Sequence, residues 1–130
     1  MTLLSDVLKQ NGFEKLSIAI PTYNEESNIH LMIEECIEFL GDQPNFLELV
    51  IVNDRSSDKS LEVAKQLSAK YESVKLIDNP ENIGCHPSQL VGWNSSDADV
   101  LYMLPSDRQI PPNSIPELIM NLKNNDSLDK

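Results

Sequence analysis

The stretch Leu47–Ser60, LELVIVNDRSSDKS, decides the fold. Leu47 to Val52 read as a buried strand that ends in the polar pair Asn53 and Asp54. A helix follows at once, opened by Ser57 or Asp58, whose side-chain oxygens can accept the N–H groups that a first helical turn leaves unpaired. A strand running straight into a helix is half of a βαβ unit. In open α/β sheets ligands bind in the crevice outside the carboxyl ends of the strands, so Asp54 stands where a ligand is met, and with Asp58 as the cap it is left free for a ligand hydroxyl or a base edge.

The same alternation extends to both sides. Upstream, KLSIAI (Lys15 to Ile20) reads as a strand stopped by Pro21, and Ile29, Met32, Ile33, Cys36, Ile37 and Leu40 trace one face of a helix ended by Gly41. Downstream, Leu61, Val63, Ala64 and Leu67 mark the helix after Asp58, VKLID (Val74 to Asp78) is a third strand, and ADVLYML (Ala98 to Leu104) a fourth. A turn and a short helix around Ser88 to Trp93 lie between the last two, with Trp93 expected in the core. Leu3, Leu4, Val7 and Leu8 predict an amphipathic helix from Thr2 to Gln10, ended by Asn11 and Gly12. Strands alternating with helices imply a mainly parallel sheet with right-handed crossovers, a doubly wound α/β layer. The expected organisation is an N-terminal helix and extension over residues 1–15, one partial domain over 16–122 and a polar tail over 123–130.

Composition narrows the partners. The chain has 130 residues, near the usual size of one domain, and carries 10 Lys plus Arg against 21 Asp plus Glu, a formal net charge of -11. That balance repels nucleic acid and anionic membrane. A phosphorylated ligand must then be held by backbone amides, by a cation, or by Arg55 and Arg108, the planar forks available. Cys36 and Cys85 share no metal-ligand spacing and fit a reducing compartment. No apolar run reaches the roughly 20 residues that span a bilayer, and the opening MTLLSDVLKQ lacks the basic start and apolar run of a signal peptide. The expected location is cytoplasmic, with membrane association only through regions or partners outside this span.

Three polar loops fall on the carboxyl edge of the expected sheet: PTYNEE, NDRSSD and PSDRQIPP. Asn24 in the first is also a helix-cap residue type, and Asp54 in the second also suits a turn. Asp107 in the third follows a strand and precedes two prolines, where a carboxylate can reach a metal held by a diphosphate; magnesium commonly takes one or two protein carboxylates plus phosphate oxygens. A dinucleotide-binding domain is excluded, because no G-x-G-x-x-G follows the first strand.

The segments LSIAIPTYNEESNI, LELVIVNDRSSDKSLEVAKQL, VKLIDNPENIG and DADVLYMLPSDRQIPPNSIPELI resemble, in order and spacing, the nucleotide-binding half of family 2 glycosyltransferases from about Leu16 to Leu118. The resemblance implies a GT-A fold, a Rossmann-like three-layer α/β/α sandwich that is truncated here. It also implies a nucleotide-diphospho-sugar donor, in this family usually a UDP-sugar, a divalent cation (Mg or Mn), and inverting transfer to a glycan or lipid-linked acceptor in polysaccharide or cell-envelope synthesis. Residue by residue, Pro21, Thr22, Tyr23 and Glu25 match the first nucleotide-contacting loop, and Asp54 matches the carboxylate that hydrogen-bonds the base. Asn82 and Gly84 match the N-x-G turn, where glycine can take a positive φ and let the next helix approach the donor. Asp107 matches the metal-ligating Asp of the Asp-x-Asp-type motif. The chain departs from the pattern at Pro105 and Ser106, where acidic residues are common, at Arg55, where glycine is usual, and at His86, often Lys or Arg.

Direct displacement at the anomeric carbon requires a general base for the acceptor hydroxyl. In the family that base lies in the second half of the catalytic domain, beyond Lys130. Two expectations follow: the donor half of a longer glycosyltransferase, or a non-catalytic nucleotide-sugar-binding or assembly module lacking the acceptor half. A half-domain exposes a sheet edge, which implies a homo-oligomer.

Overall fold

The computed structural model describes residues 3–104 together with Ser106. The elements are α1 (Leu3–Gln10), β1 (Leu16–Thr22), α2 (Ile29–Leu40), β2 (Leu47–Asn53), α3 (Ser60–Lys70), β3 (Val74–Asp78), α4 (Cys85–Asn94) and β4 (Val100–Met103). The strands form one sheet in the order β3-β2-β1-β4, and every pairing is parallel. The expected α/β architecture is therefore present, and the third strand has its expected bounds.

Pro21 does not stop β1, which continues to Thr22. The reason lies in the alternation of backbone groups along a strand. Ala19 C=O accepts from Leu104 N–H on the β4 side, and Thr22 C=O accepts from Asp54 N–H on the β2 side. Pro21, two residues beyond Ala19, turns its nitrogen toward β4, whose pairing ends at Met103. The missing N–H has no ladder bond to lose there. Two other elements also differ from the sequence reading: α4 is longer, starting at Cys85 with Pro87 in its tolerant first turn, and β4 is shorter.

From β1 the chain steps outward to β2 and β3, then returns past β1 to β4. Right-handed crossovers place α2 and α3 on one face and α4 on the other. Packing agrees. Ile29, Met32, Ile33, Cys36 and Leu40 of α2 join Leu16, Ile18, Ile20, Leu47, Leu49 and Ile51 in one core, to which α1 adds Leu4, Val7 and Leu8. Each such side chain contributes about 1.5–3 kcal/mol by burial. The alternate strand positions Ala19 and Val52 meet α4 at Gly92. A Cβ on Gly92 would lie 2.9 Å from Ala19 Cβ and 3.1 Å from Val52 Cγ2, so glycine lets the helix rest on the sheet. Trp93, expected in the core, is half-buried instead, and its indole N–H donates to Tyr102 C=O, fastening α4 to β4.

β2 and β3 lie on one side of β1 and β4 on the other, so the strand order switches at β1, and in open α/β sheets ligands bind outside the carboxyl ends of the strands at such a point. At the opposite edge the Asp99 carboxylate accepts the Glu14 and Lys15 N–H groups, closing the entry to β1. Nearby Glu48 is buried and paired with Lys15 at 2.9 Å and Lys75 at 2.7 Å.

Candidate functional site

The loop after β1 and the loop after β2 hold each other through reciprocal hydrogen bonds. Asn24 Oδ1 accepts the N–H groups of Ser57 (2.8 Å) and Asp58 (3.3 Å), while Asn24 N–H donates to Ser56 Oγ. Glu25 N–H donates to Ser60 Oγ, and Glu26 N–H to Asp58 Oδ2. Asn24 therefore serves the neighbouring loop rather than capping its own helix. It does so from φ +53°, a left-handed conformation that asparagine tolerates. The cap of α3 also differs from expectation: Lys59 occupies the N-cap position, and Asp58, one residue earlier, accepts the Ser60 N–H.

Asp54 ties the end of β2 to the loop after β3. Its Oδ1 accepts from Ile83 N–H at 2.7 Å and Asn79 Nδ2 at 3.1 Å, and its Oδ2 from Gly84 N–H at 2.8 Å. Asn82 Nδ2 donates to the Asp54 backbone carbonyl. The residue is only 4% exposed. The sequence reading left Asp54 free; the structure corrects this, since three donors occupy three of roughly four acceptor sites on a carboxylate. Burial alone would raise the Asp54 pKa, but the bonds from Ile83, Asn79 and Gly84 outweigh it and hold the carboxyl below its ordinary value. Asp58 is lowered in the same way, burial being outweighed by bonds from Ser60 and Glu26.

The other sequence-predicted residues divide by exposure. Pro21 and Thr22 are buried, and Thr22 Oγ1 donates inward to Ile20 C=O. Tyr23 is 52% exposed. Glu25 is half-buried and carries a buried Oε2 with no hydrogen-bond partner. Asn82 is exposed, and Gly84, at φ +97°, occupies the N-cap position of α4. Asp107 and Arg108 lie outside the described residues, as does Pro105. Among the described residues no group of three or more His, Cys, Asp and Glu side chains is placed to hold a metal ion.

Sequence reasoning missed Asn79, buried and bonded to both Asp54 and Ser88 Oγ. The Asn79-Pro80 dipeptide, a turn former, was the available signal. It also missed that Asn53 is buried, with Nδ2 donating to Asp78 and Oδ1 accepting from Ser56. Charge at the rim is strongly negative: Glu25, Glu26, Asp54, Asp58, Asp78 and Glu81 stand against Arg55 and Lys59 in the three loops spanning 22–28, 53–59 and 78–84. Arg55, where glycine was expected, sits at φ +59°, the left-handed region that explains the expectation.

Comparison with known proteins agrees with this fold. The family model described as Glycosyl transferase family 2 matches residues 17–128. Among curated relatives, an undecaprenyl-phosphate 4-deoxy-4-formamido-L-arabinose transferase of Photorhabdus laumondii is 34% identical over 82% of this chain and 33% of its own length. A dolichol-phosphate mannosyltransferase of Pyrococcus furiosus is 35% identical over 85% of this chain and 30% of its own. The chain thus spans about a third of the length of these relatives. Among solved structures, TarS 1-349 of S. aureus in complex with UDP superposes with a TM-score of 0.71 at 21% identity, over 86% of this chain and 33% of that one. The mannosyltransferase PcManGT of Pyrobaculum calidifontis, solved with GDP-Man and Mn2+, gives 0.71 at 18% identity, over 85% and 32%. At these identities the likeness shows the fold, which is of the GT-A type. With the family model covering most of its length, this chain belongs to glycosyl transferase family 2.

Proposed function

We propose that the chain is the donor-binding part of a glycosyltransferase, holding a nucleoside diphosphate sugar across the carboxyl ends of β1, β2 and β4. The observation that carries this reading is the interlocked rim. The loops after β1, β2 and β3 are fixed to one another through Asn24 and Asp54, so the crevice is shaped before a ligand arrives.

The nucleotide-contacting set is Pro21, Thr22, Tyr23, Glu25, Asp54, Asn82 and Gly84, with Asp107 as ligand for a divalent cation on the diphosphate. Within this set Thr22 and Asp54 bond to the protein itself, Asn82 Nδ2 donates to the Asp54 carbonyl, and Tyr23 is exposed. The cation, Mg or Mn, would neutralise charge on the departing nucleoside diphosphate when bound. A PcManGT structure contains Mn2+, which supports this reading. Transfer would be inverting. The names of the relatives favour a lipid-phosphate acceptor, met outside this span.

Calorimetric titration of UDP and of GDP, with and without manganese, into the chain and into Asp107→Ala tests the reading. Metal-dependent binding that is lost in the variant is the expected result. Binding of neither nucleotide under any condition contradicts it.

A further inference from the structure

We infer that Arg55 contacts the nucleobase of the donor, in a role that the family pattern leaves to other residues. The inference rests on the donor-binding reading proposed above. The polar groups at the ends of β1 and β2 are largely spent. Thr22 is 1% exposed with its hydroxyl turned onto Ile20 C=O, Asn53 is 2% exposed and bonded to Asp78 and Ser56, and Asp54 is 4% exposed with three donors on its carboxylate. The next residue in the chain is Arg55, which is exposed and has no acidic partner among the described residues.

Backbone geometry makes Arg55 more than a surface cation. Asp54 before it is fastened to the loop after β3, and Ser56 after it is bonded to both Asn53 and Asn24. Between these fixed neighbours the chain takes φ +59°, where glycine is at ease and a long side chain is not. A residue held in such a region marks a functional constraint when the surroundings over-determine it. Thr22 pairs with Asn53 in register, which sets Tyr23 level with Asp54, the residue before Arg55, and both Tyr23 and Arg55 are exposed. A planar aromatic ring and a planar guanidinium suit a flat ligand: each can lie against a base, and the guanidinium can also donate to a base carbonyl.

The test uses the 130-residue chain with magnesium present. Whichever of UDP and GDP binds more tightly is titrated alongside its monophosphate into wild type, Arg55→Gly and Arg55→Asn. Glycine and asparagine both tolerate left-handed backbone, so the thermal midpoints should match or exceed that of wild type. The expected result is roughly tenfold weaker binding in both variants, with the same factor for diphosphate and monophosphate. Unchanged affinity in the variants overturns the assignment and leaves the donor-binding reading standing. A loss confined to the diphosphate also overturns it, placing the guanidinium on the β-phosphate, and so does a loss accompanied by a fall of several degrees in both midpoints. Absence of nucleotide binding by the wild type overturns both readings.

Discussion

The Asp54 carboxylate accepts the Gly84 N–H at 2.8 Å, joining the end of β2 to the residue that opens α4. With the Ile83 bond beside it, the charged group organises backbone donors that would otherwise be unpaired. Asp54→Asn puts an amide NH2 among N–H donors and removes the charge from these bonds. The expected loss is about 1–3 kcal/mol in urea unfolding, together with loss of nucleotide binding. A variant as stable as wild type would show that the loop after β3 is held by other means.

Asn24 gives a graded test of the interlock between the first two loops. Asn24→Ala removes the acceptor for Ser57 and Asp58 N–H and places alanine at φ +53°. A loss of about 2 kcal/mol is expected, with Asn24→Gly costing about half of that because glycine relieves the backbone part. Equal losses in the two variants would mean that the left-handed turn contributes nothing. Denaturant midpoints measured side by side make the comparison.

Gly92 is a packing prediction with a built-in rescue. Alanine gains about 1 kcal/mol of helix propensity there, but its Cβ meets Ala19 Cβ at 2.9 Å, and overpacking costs about 1–3 kcal/mol. Gly92→Ala should therefore lower stability by about 1 kcal/mol, and adding Ala19→Gly should recover part of it. The Val52 contact at 3.1 Å limits the recovery. A double-mutant cycle by thermal unfolding checks the coupling.

Glu48 sets an acid limit on the fold. Burial alone would raise its pKa, but the ammonium groups of Lys75 and Lys15 outweigh burial and bring it down to about 2. An unfolded Glu titrates near about 4.3, so on acidification the unfolded chain takes up the proton first. The pair's contribution is therefore complete above that value and is lost as pH falls toward about 2. Asp54 and Asp58, also lowered, act in the same direction. Glu48→Gln should be less stable than wild type by about 1–3 kcal/mol near neutral pH, and the gap should shrink in acid. A gap independent of pH in urea titrations would remove the charge from the explanation.

Much of this fold was legible in the sequence because its signals are local. The spacing of Ile29, Met32, Ile33, Cys36 and Leu40, closed by Gly41, defines α2 without reference to any partner. Val74–Asp78 was bounded by turn residues. The misreadings came from long-range partners. Pro21 suits β1 because β4, some eighty positions later in the chain, has ended beside it. Asp54 is occupied because residues 79–84 fold back onto it. Asn24 caps across to residues 57 and 58, so its chemistry was visible but its partner was not. The metal expectation at Asp107 lies outside the described residues.

The central claim is that a donor nucleotide binds across the carboxyl ends of the strands. Amide chemical shifts of the isotope-labelled chain, followed by NMR during titration with UDP or GDP and magnesium, test it most directly. The largest changes are expected at Tyr23, Glu25, Arg55 and Gly84, and none at Glu14, Asn45 and Asp99 on the opposite edge. Changes confined to that opposite edge, or no change at saturating nucleotide, would contradict it.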